Sequence, residues 1–138
     1  EYQTHLHVPQ HVHVVPLSRQ LAVLCDILEQ EVQDPCHKVM VFGATPQVSE
    51  YLKVLLLQTG LGSRTTVLAT SSRLKHWARE EACAQFRDGS GMVFCCSDIA
   101  ALGLDYPNVT AVIQFGSPAT RYTYIHRLGR TARGGNEY

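Results

Sequence analysis

Several things are scarce in this chain, and each scarcity excludes something. No run is long and apolar enough to make a membrane-spanning helix. Neither sign of charge dominates: twelve Lys and Arg against twelve Asp and Glu leave a formal net charge of zero. Global electrostatics therefore do not announce a nucleic-acid binder, and any such surface must be a local patch. The five cysteines, Cys25, Cys36, Cys83, Cys95 and Cys96, are odd in number and form no CxxC pair. They read as reduced thiols in a cytosolic, nuclear or organellar-matrix compartment. No Gly-x-x-x-x-Gly-Lys-Ser/Thr loop is present to cradle phosphates, Gly60-Leu61-Gly62-Ser63-Arg64 being a short turn. There is no internal repeat, no low-complexity segment and no visible signal peptide; the start at Glu1 reads as that of an excised segment. The 138 residues suit one compact domain, 1–138.

What the chain does have is strand-like and helix-like stretches in alternation. Residues 11–15 form a short extended run closed by Pro16, and from Ser18, read as an N-cap, Leu21, Leu24, Cys25, Leu28 and Val32 keep helical spacing. Residues 39–44 are a continuous apolar run, as a buried parallel strand requires. Thr45-Pro46 then caps and starts a helix that turns Leu52, Leu55 and Leu56 inward and stops near Gly60. Residues 66–68 read as a short strand, and Ser72 as the cap of a helix reaching about Phe86 and ended by Asp88-Gly89. Residues 92–96 and 111–115 are two more strands, with Cys95 and Cys96 pointing to opposite faces, and 122–128 is helical. The alternation predicts an α/β fold, a mostly parallel sheet with right-handed crossovers and helices on both faces. Active residues in such a sheet belong at the carboxyl ends of the strands, where Thr45, Ser97 with Asp98, and Gly116-Ser117-Pro118 all fall.

The densest chemistry is His126-Arg127-Leu128-Gly129-Arg130-Thr131-Ala132-Arg133, a histidine and three arginines in eight residues. Guanidinium groups are always charged, and their planar fork matches phosphate oxygens. Three held close together repel one another unless an anion sits among them. A solvated basic helix end accounts for the charge but not for a pattern that fixes five positions, His-Arg-x-Gly-Arg-x-x-Arg. The last 18 residues, with four arginines and one acid, are the best candidate for a local basic patch. Upstream stands Cys96-Ser97-Asp98-Ile99-Ala100-Ala101-Leu102-Gly103-Leu104-Asp105-Tyr106-Pro107-Asn108-Val109, and earlier still Val39-Met40-Val41-Phe42-Gly43-Ala44-Thr45. In this order and spacing the three motifs resemble those of the second domain of superfamily-two helicases, the DEAD-box RNA helicases above all.

The resemblance implies a RecA-like three-layer domain and an ATP-dependent RNA helicase as the parent protein. It implies that Arg130 and Arg133 are arginine fingers, worth roughly 10³–10⁵ in rate, and that His126 and Arg127 knit two domains together on closure. Asp105 matches the aspartate that accepts a hydrogen bond from the ribose of ATP, with Gly103 beside it allowing close backbone approach; read alone, Asp105 is a turn residue before Pro107. RNA-backbone contacts fall to Thr45, Ser72, His76, Arg79 and Ser97. Ser72, Lys75, His76 and Arg79, at i, i+3, i+4 and i+7, would share one helix face beginning at an N-terminus that favours phosphate. That face also reads as ordinary solvated surface, with Glu80 and Glu81 beside it. ATP and Mg²⁺ would be held mainly by the N-terminal RecA-like domain, which carries the phosphate loop and the Asp-Glu-Ala-Asp motif lacking here; the domain alone is then half an active site. The partners implied are RNA and that companion domain, with no membrane, no resident metal and no oligomer implied.

Two departures from the family pattern stand out. Leu102 occupies the place of an arginine, and a leucine cannot replace a bidentate cation. His76 replaces a glutamine, which makes a phosphate contact there pH-dependent, and Ser71-Ser72 replaces a His-Gly pair. These motivate an alternative, a catalytically impaired relative serving as an RNA-binding or assembly scaffold. A DNA-directed superfamily-two helicase fits the Asp105-Tyr106-Pro107 context less well. Residues 106–110, 113–116 and the Tyr-Ile-His-Arg start of the last motif resemble the mitochondrial and nucleolar RNA-folding branch. Finally, His5, His7, His11 and His13 would line one face of an extended strand. Pro9 interrupts them, and they would spread over more than roughly 20 Å, so they read as surface histidines and not as a metal site.

Overall fold

A computed structural model describes residues 6–98 and 105–131. In chain order these form α1 (Leu17–Glu31), β1 (Lys38–Phe42), α2 (Pro46–Gln58), a 3-10 turn (Gly60–Ser63), β2 (Thr66–Thr70), α3 (His76–Asp88), β3 (Met92–Cys96), β4 (Ala111–Gln114) and α4 (Arg121–Leu128). All four strands are parallel, in the order β2-β3-β1-β4, with Val39 level with Val93 on one side and with Ala111 on the other.

Strand alternation divides the core in two. Val39, Val41, Val67, Ala69, Val93 and Cys95 face Leu24 and Leu28 of α1 and Leu52 and Leu56 of α2. Met40, Phe42, Leu68, Phe94 and Cys96 face Cys83 and Phe86 of α3 together with Tyr106 and Val109. Phe86 stacks on Phe94 at 4.7 Å between centroids, and Tyr106 meets both rings edge-on. The adjacent thiols Cys95 and Cys96 fall on opposite faces, as alternation demands. Both inner strands are thus apolar on two sides, which is why they read as unbroken hydrophobic runs.

The first helix begins two residues earlier than expected. Pro16 is its N-cap, Arg19 N already bonds Pro16 O, and Ser18 is an exposed residue inside the helix. Residues 11–15 pair with no strand among the described residues; Val12 and Val14 are exposed, and the segment is tied down where Tyr124 Oη donates to Gln10 Oε1. Leu55 is only half-buried, whereas Leu52 and Leu56 are enclosed. Thr45 behaves as its composition predicts: its Oγ1 accepts from Val48 N at 3.2 Å, with Pro46 at the first helical position. Gly43 is needed between β1 and α2, because a Cβ there would meet Ser49 Oγ at 2.9 Å.

Candidate nucleotide and nucleic-acid interface

Parallel strands end together, so the segments after β1, β2, β3 and β4 share one edge of the sheet. At that edge Arg127, in the last turn of α4, is 3% exposed. Its Nε and Nη2 donate to the two carboxylate oxygens of Asp98 at 2.7 Å each, a parallel fork. Nη1 donates to Gln114 Oε1 at 3.4 Å, and the guanidinium carbon lies 5.2 Å from the centre of the Phe42 ring. Gln114 Nε2 donates in turn to Tyr124 O at 3.3 Å. One side chain therefore ties the ends of β1, β3 and β4 to α4. The motif resemblance assigns Arg127 to a seam between domains; here its donors are engaged inside this one.

Thr120 starts α4, its Oγ1 accepting from Thr123 N at 3.1 Å. One turn after the fork begins, Arg130 is also buried, its Nη2 3.1 Å from His126 Nε2. A guanidinium only donates, so Nε2 accepts and the imidazole carries its proton on Nδ1. The His126 ring lies nearly parallel to Tyr122, 5.8 Å between centroids. Asp105 is exposed and directly precedes the buried Tyr106. Its neighbours Pro107 and Asn108 form a turn in which Asn108 has φ 61°. Gly116, just past β4, has φ 90°, a conformation that excludes most other residues. Gly103, Leu102 and Arg133 lie outside the described residues.

On the other side of the edge, the expected four-residue stripe is shorter. Helix α3 begins at His76 with Lys75 as its N-cap, so Ser72 does not cap it, and Ser72 and Lys75 sit in the preceding loop. That loop is organised by Ser71, whose buried hydroxyl donates to Glu50 of α2 and accepts from Arg73 N at 3.2 Å. Arg73 Nη1 reaches the same carboxylate at 3.4 Å. His76 Nδ1 lies 3.3 Å from Glu80 Oε2, both largely exposed. No side chain caps α3, which leaves backbone N–H groups of its first turn available to an anion. Thr45 and Ser72 are exposed, Arg79 is half-buried, and Ser97 is buried with its Oγ lacking a hydrogen-bond partner among the described residues. Thr70 Oγ1, at the end of the neighbouring strand, shares that condition.

Sequence reasoning missed Glu50, Ser71, Gln114 and Thr120. Thr120 carried a signal, a threonine just ahead of a helix; Glu50 carried none, because its partners lie more than twenty residues on. Cysteine chemistry does not enter this edge: burial pushes the Cys95 thiol up to about 12 and raises Cys96 as well. Among the described residues no group of three His, Cys, Asp or Glu is arranged to hold a metal, and His7, His11 and His13 are exposed; His5 lies outside those residues.

Residues 19–135 match the family described as the helicase conserved C-terminal domain. A rice (Oryza sativa subsp. japonica) protein named DEAD-box ATP-dependent RNA helicase 25 is 40% identical over 136 residues, covering 98% of this chain and 22% of that protein. An Aspergillus oryzae ATP-dependent RNA helicase, mss116, mitochondrial, is 36% identical over 138 residues, 99% of this chain and 21% of its own length. The chain thus spans about a fifth of the curated relatives it matches. Among solved structures, domain 2 of the Mss116p DEAD-box helicase bound to an RNA duplex superposes with a TM-score of 0.75 at 30% identity, over 87% of this chain and 47% of that one. The E. coli DEAD-box protein SrmB bound to the regulator of ribonuclease activity A gives 0.71 at 27% identity, over 94% and 75%. These neighbours share the RecA-like arrangement described above.

Proposed function

Because this chain belongs to the helicase conserved C-terminal domain family, we propose that it serves in an ATP-dependent DEAD-box RNA helicase as the half that supplies arginines to the nucleotide and a backbone grip to RNA. The observation that carries the reading is the Arg127–Asp98 fork, which locks α4 against the carboxyl edge of the sheet and so fixes where Arg130 stands. In this reading Arg130 and Arg133 stabilise charge on the transferred phosphoryl group, and His126 and Arg127 organise the edge that meets the companion domain. The ribose is assigned to Asp105, with Gly103 of the same motif. Ser72 in the loop before α3, His76 and Arg79 in its first turn, and the strand-end residues Thr45 and Ser97 follow the RNA backbone.

Mg²⁺ and the triphosphate cradle are assigned to the N-terminal RecA-like domain, because this sequence carries neither the phosphate-loop motif nor Asp-Glu-Ala-Asp. Bound there, the ion would neutralise phosphate charge. This chain alone would then not turn over ATP. The mitochondrial names among its relatives support a lean toward that organelle. No helix among the described residues is long and apolar enough to cross a membrane.

A second reading rests on Leu102, where the family pattern has an arginine: a relative that keeps its hold on RNA and has given up catalysis. RNA-stimulated ATP hydrolysis by the full-length parent decides between them, measured beside Leu102→Arg and Arg130→Ala. Turnover that rises with RNA and falls roughly 10³-fold or more in Arg130→Ala supports the enzyme. A silent parent that Leu102→Arg awakens supports the scaffold.

A further inference from the structure

The chain has one tryptophan, and the fold leaves it outside. Trp77 is 64% exposed in the first turn of α3, between His76 and Arg79. Residues 73–79 read Arg-Leu-Lys-His-Trp-Ala-Arg, three permanent cations and no acid. An indole in water is costly to keep, and neither core cluster recruits this one. Tyr51, Val54 and Leu57 on α2 are exposed too, but Glu50 and a single lysine, Lys53, flank them. Tyr122, also exposed and next to Arg121, already stacks on His126, whereas Trp77 stands in a run of three cations.

We propose that Trp77 is a stacking platform for an unpaired RNA base, beside the backbone grip of the α3 start. The inference rests on the RNA reading given above. A cationic strip that tracks phosphates, joined to an aromatic ring offering its face to a base, is how single strands are held without sequence readout. Trp77 stands in the first turn of α3, directly after the Arg73–Lys75 loop, with Glu80 and Glu81 one turn further on at i+3 and i+4. Glu80 is in any case engaged by His76 at 3.3 Å. The loop is itself anchored through Ser71 and Glu50, which makes the platform pre-ordered. Bases inside a duplex are already stacked on their neighbours, so the indole would engage only a frayed or single-stranded one. The surface would thereby favour a junction of duplex and single strand over blunt duplex.

The test uses three labelled RNAs: a blunt hairpin, the same hairpin with a single-stranded tail, and the tailed hairpin with an abasic tail. Affinities come from polarisation, and emission at residue 77 is free of other tryptophans in this chain. Expected are quenching by the tailed hairpin alone, and a tailed-over-abasic preference of about tenfold. Trp77→Ala abolishes that preference while leaving blunt-hairpin affinity unchanged, and Trp77→Phe keeps most of it. Equal affinity for tailed and abasic RNA, with emission unmoved, overturns the stacking proposal and leaves the RNA reading standing. Failure to bind any of the three overturns both.

Discussion

Helix α4 opens with Thr120, whose hydroxyl caps it, whereas α3 opens with Lys75 and no cap. Both then present a histidine and an arginine, at the end of one helix and the start of the other. At the end of α4 two cations turn inward: Arg127 in its last turn and Arg130 just past it are 3% and 4% exposed, and each nitrogen of the Arg127 fork donates to Asp98 or Gln114. In α3 they turn outward, with His76 largely exposed, Arg79 half-buried and Trp77 between them. The difference is one of labour. Arg127 is buried with its own counter-ion, Asp98, and becomes architecture; an exposed guanidinium keeps its fork for a ligand.

The comparison breaks most visibly at Arg127. Arg127→Ala removes the fork and its contact with Phe42; with Asp98 partly exposed the loss should be about 2 kcal/mol, read as a lowered urea midpoint. Arg127→Lys should recover little, because an ammonium cannot reproduce the fork. A loss under roughly 0.5 kcal/mol, typical of surface sites, would make Arg127 as peripheral as Arg79.

A second expectation concerns pH. Burial holds Cys95 protonated to about 12, and Cys96 and Tyr106 are raised in the same sense. The unfolded chain releases these protons earlier, so stability is intact below about pH 8.5 and declines as pH rises toward 12. Each such group contributes a slope of up to about 1.4 kcal/mol per pH unit. Cys95→Val should flatten the alkaline limb of the curve; an unchanged limb would remove the thiol from the account.

Capping gives a finer contrast. Thr120→Ala should cost about 1 kcal/mol. Lys75→Asp at α3 should stabilise by a similar amount while repelling an anion, so thermal stability rises as RNA affinity falls. If both properties rise together, the uncapped turn is not where phosphate binds. Smallest in stability is Arg79→Ala, within about 0.5 kcal/mol. It should weaken RNA binding equally across sequences and reduce the slope of log affinity against log salt by about 1.

The strands and the Thr45-Pro46 helix start were legible because their signals are local: apolar runs of five or so residues, and a cap followed by proline. Ser18 and Ser72 failed as caps for different reasons. Pro16, with its fixed φ, starts the first helix on its own. At Ser72 the loop is shaped by Ser71 and Glu50, a contact across 21 residues that no local pattern carries. At the site, motif order put Thr45, Ser97 and Asp98 at the carboxyl ends of the strands, where the structure has them. Motifs say nothing of burial, however, and the union of Arg127 with Asp98, 29 residues upstream, emerges only when both sit above the same strand ends. Gly103 and Arg133 lie outside the described residues.

Ser97 and Asp98 are consecutive, so the hydroxyl proposed for RNA and the carboxylate that clamps α4 ride on one peptide unit. Mechanically that unit is a lever pivoted at the end of β3. Tilting it by a few degrees pulls on the Arg127 fork directly, with no relay of side chains between. A change at 97 that shifts the peptide loads 98, and through it 127. Substitutions here are expected to arrive in sets, and a lone one to register first as slack in α4.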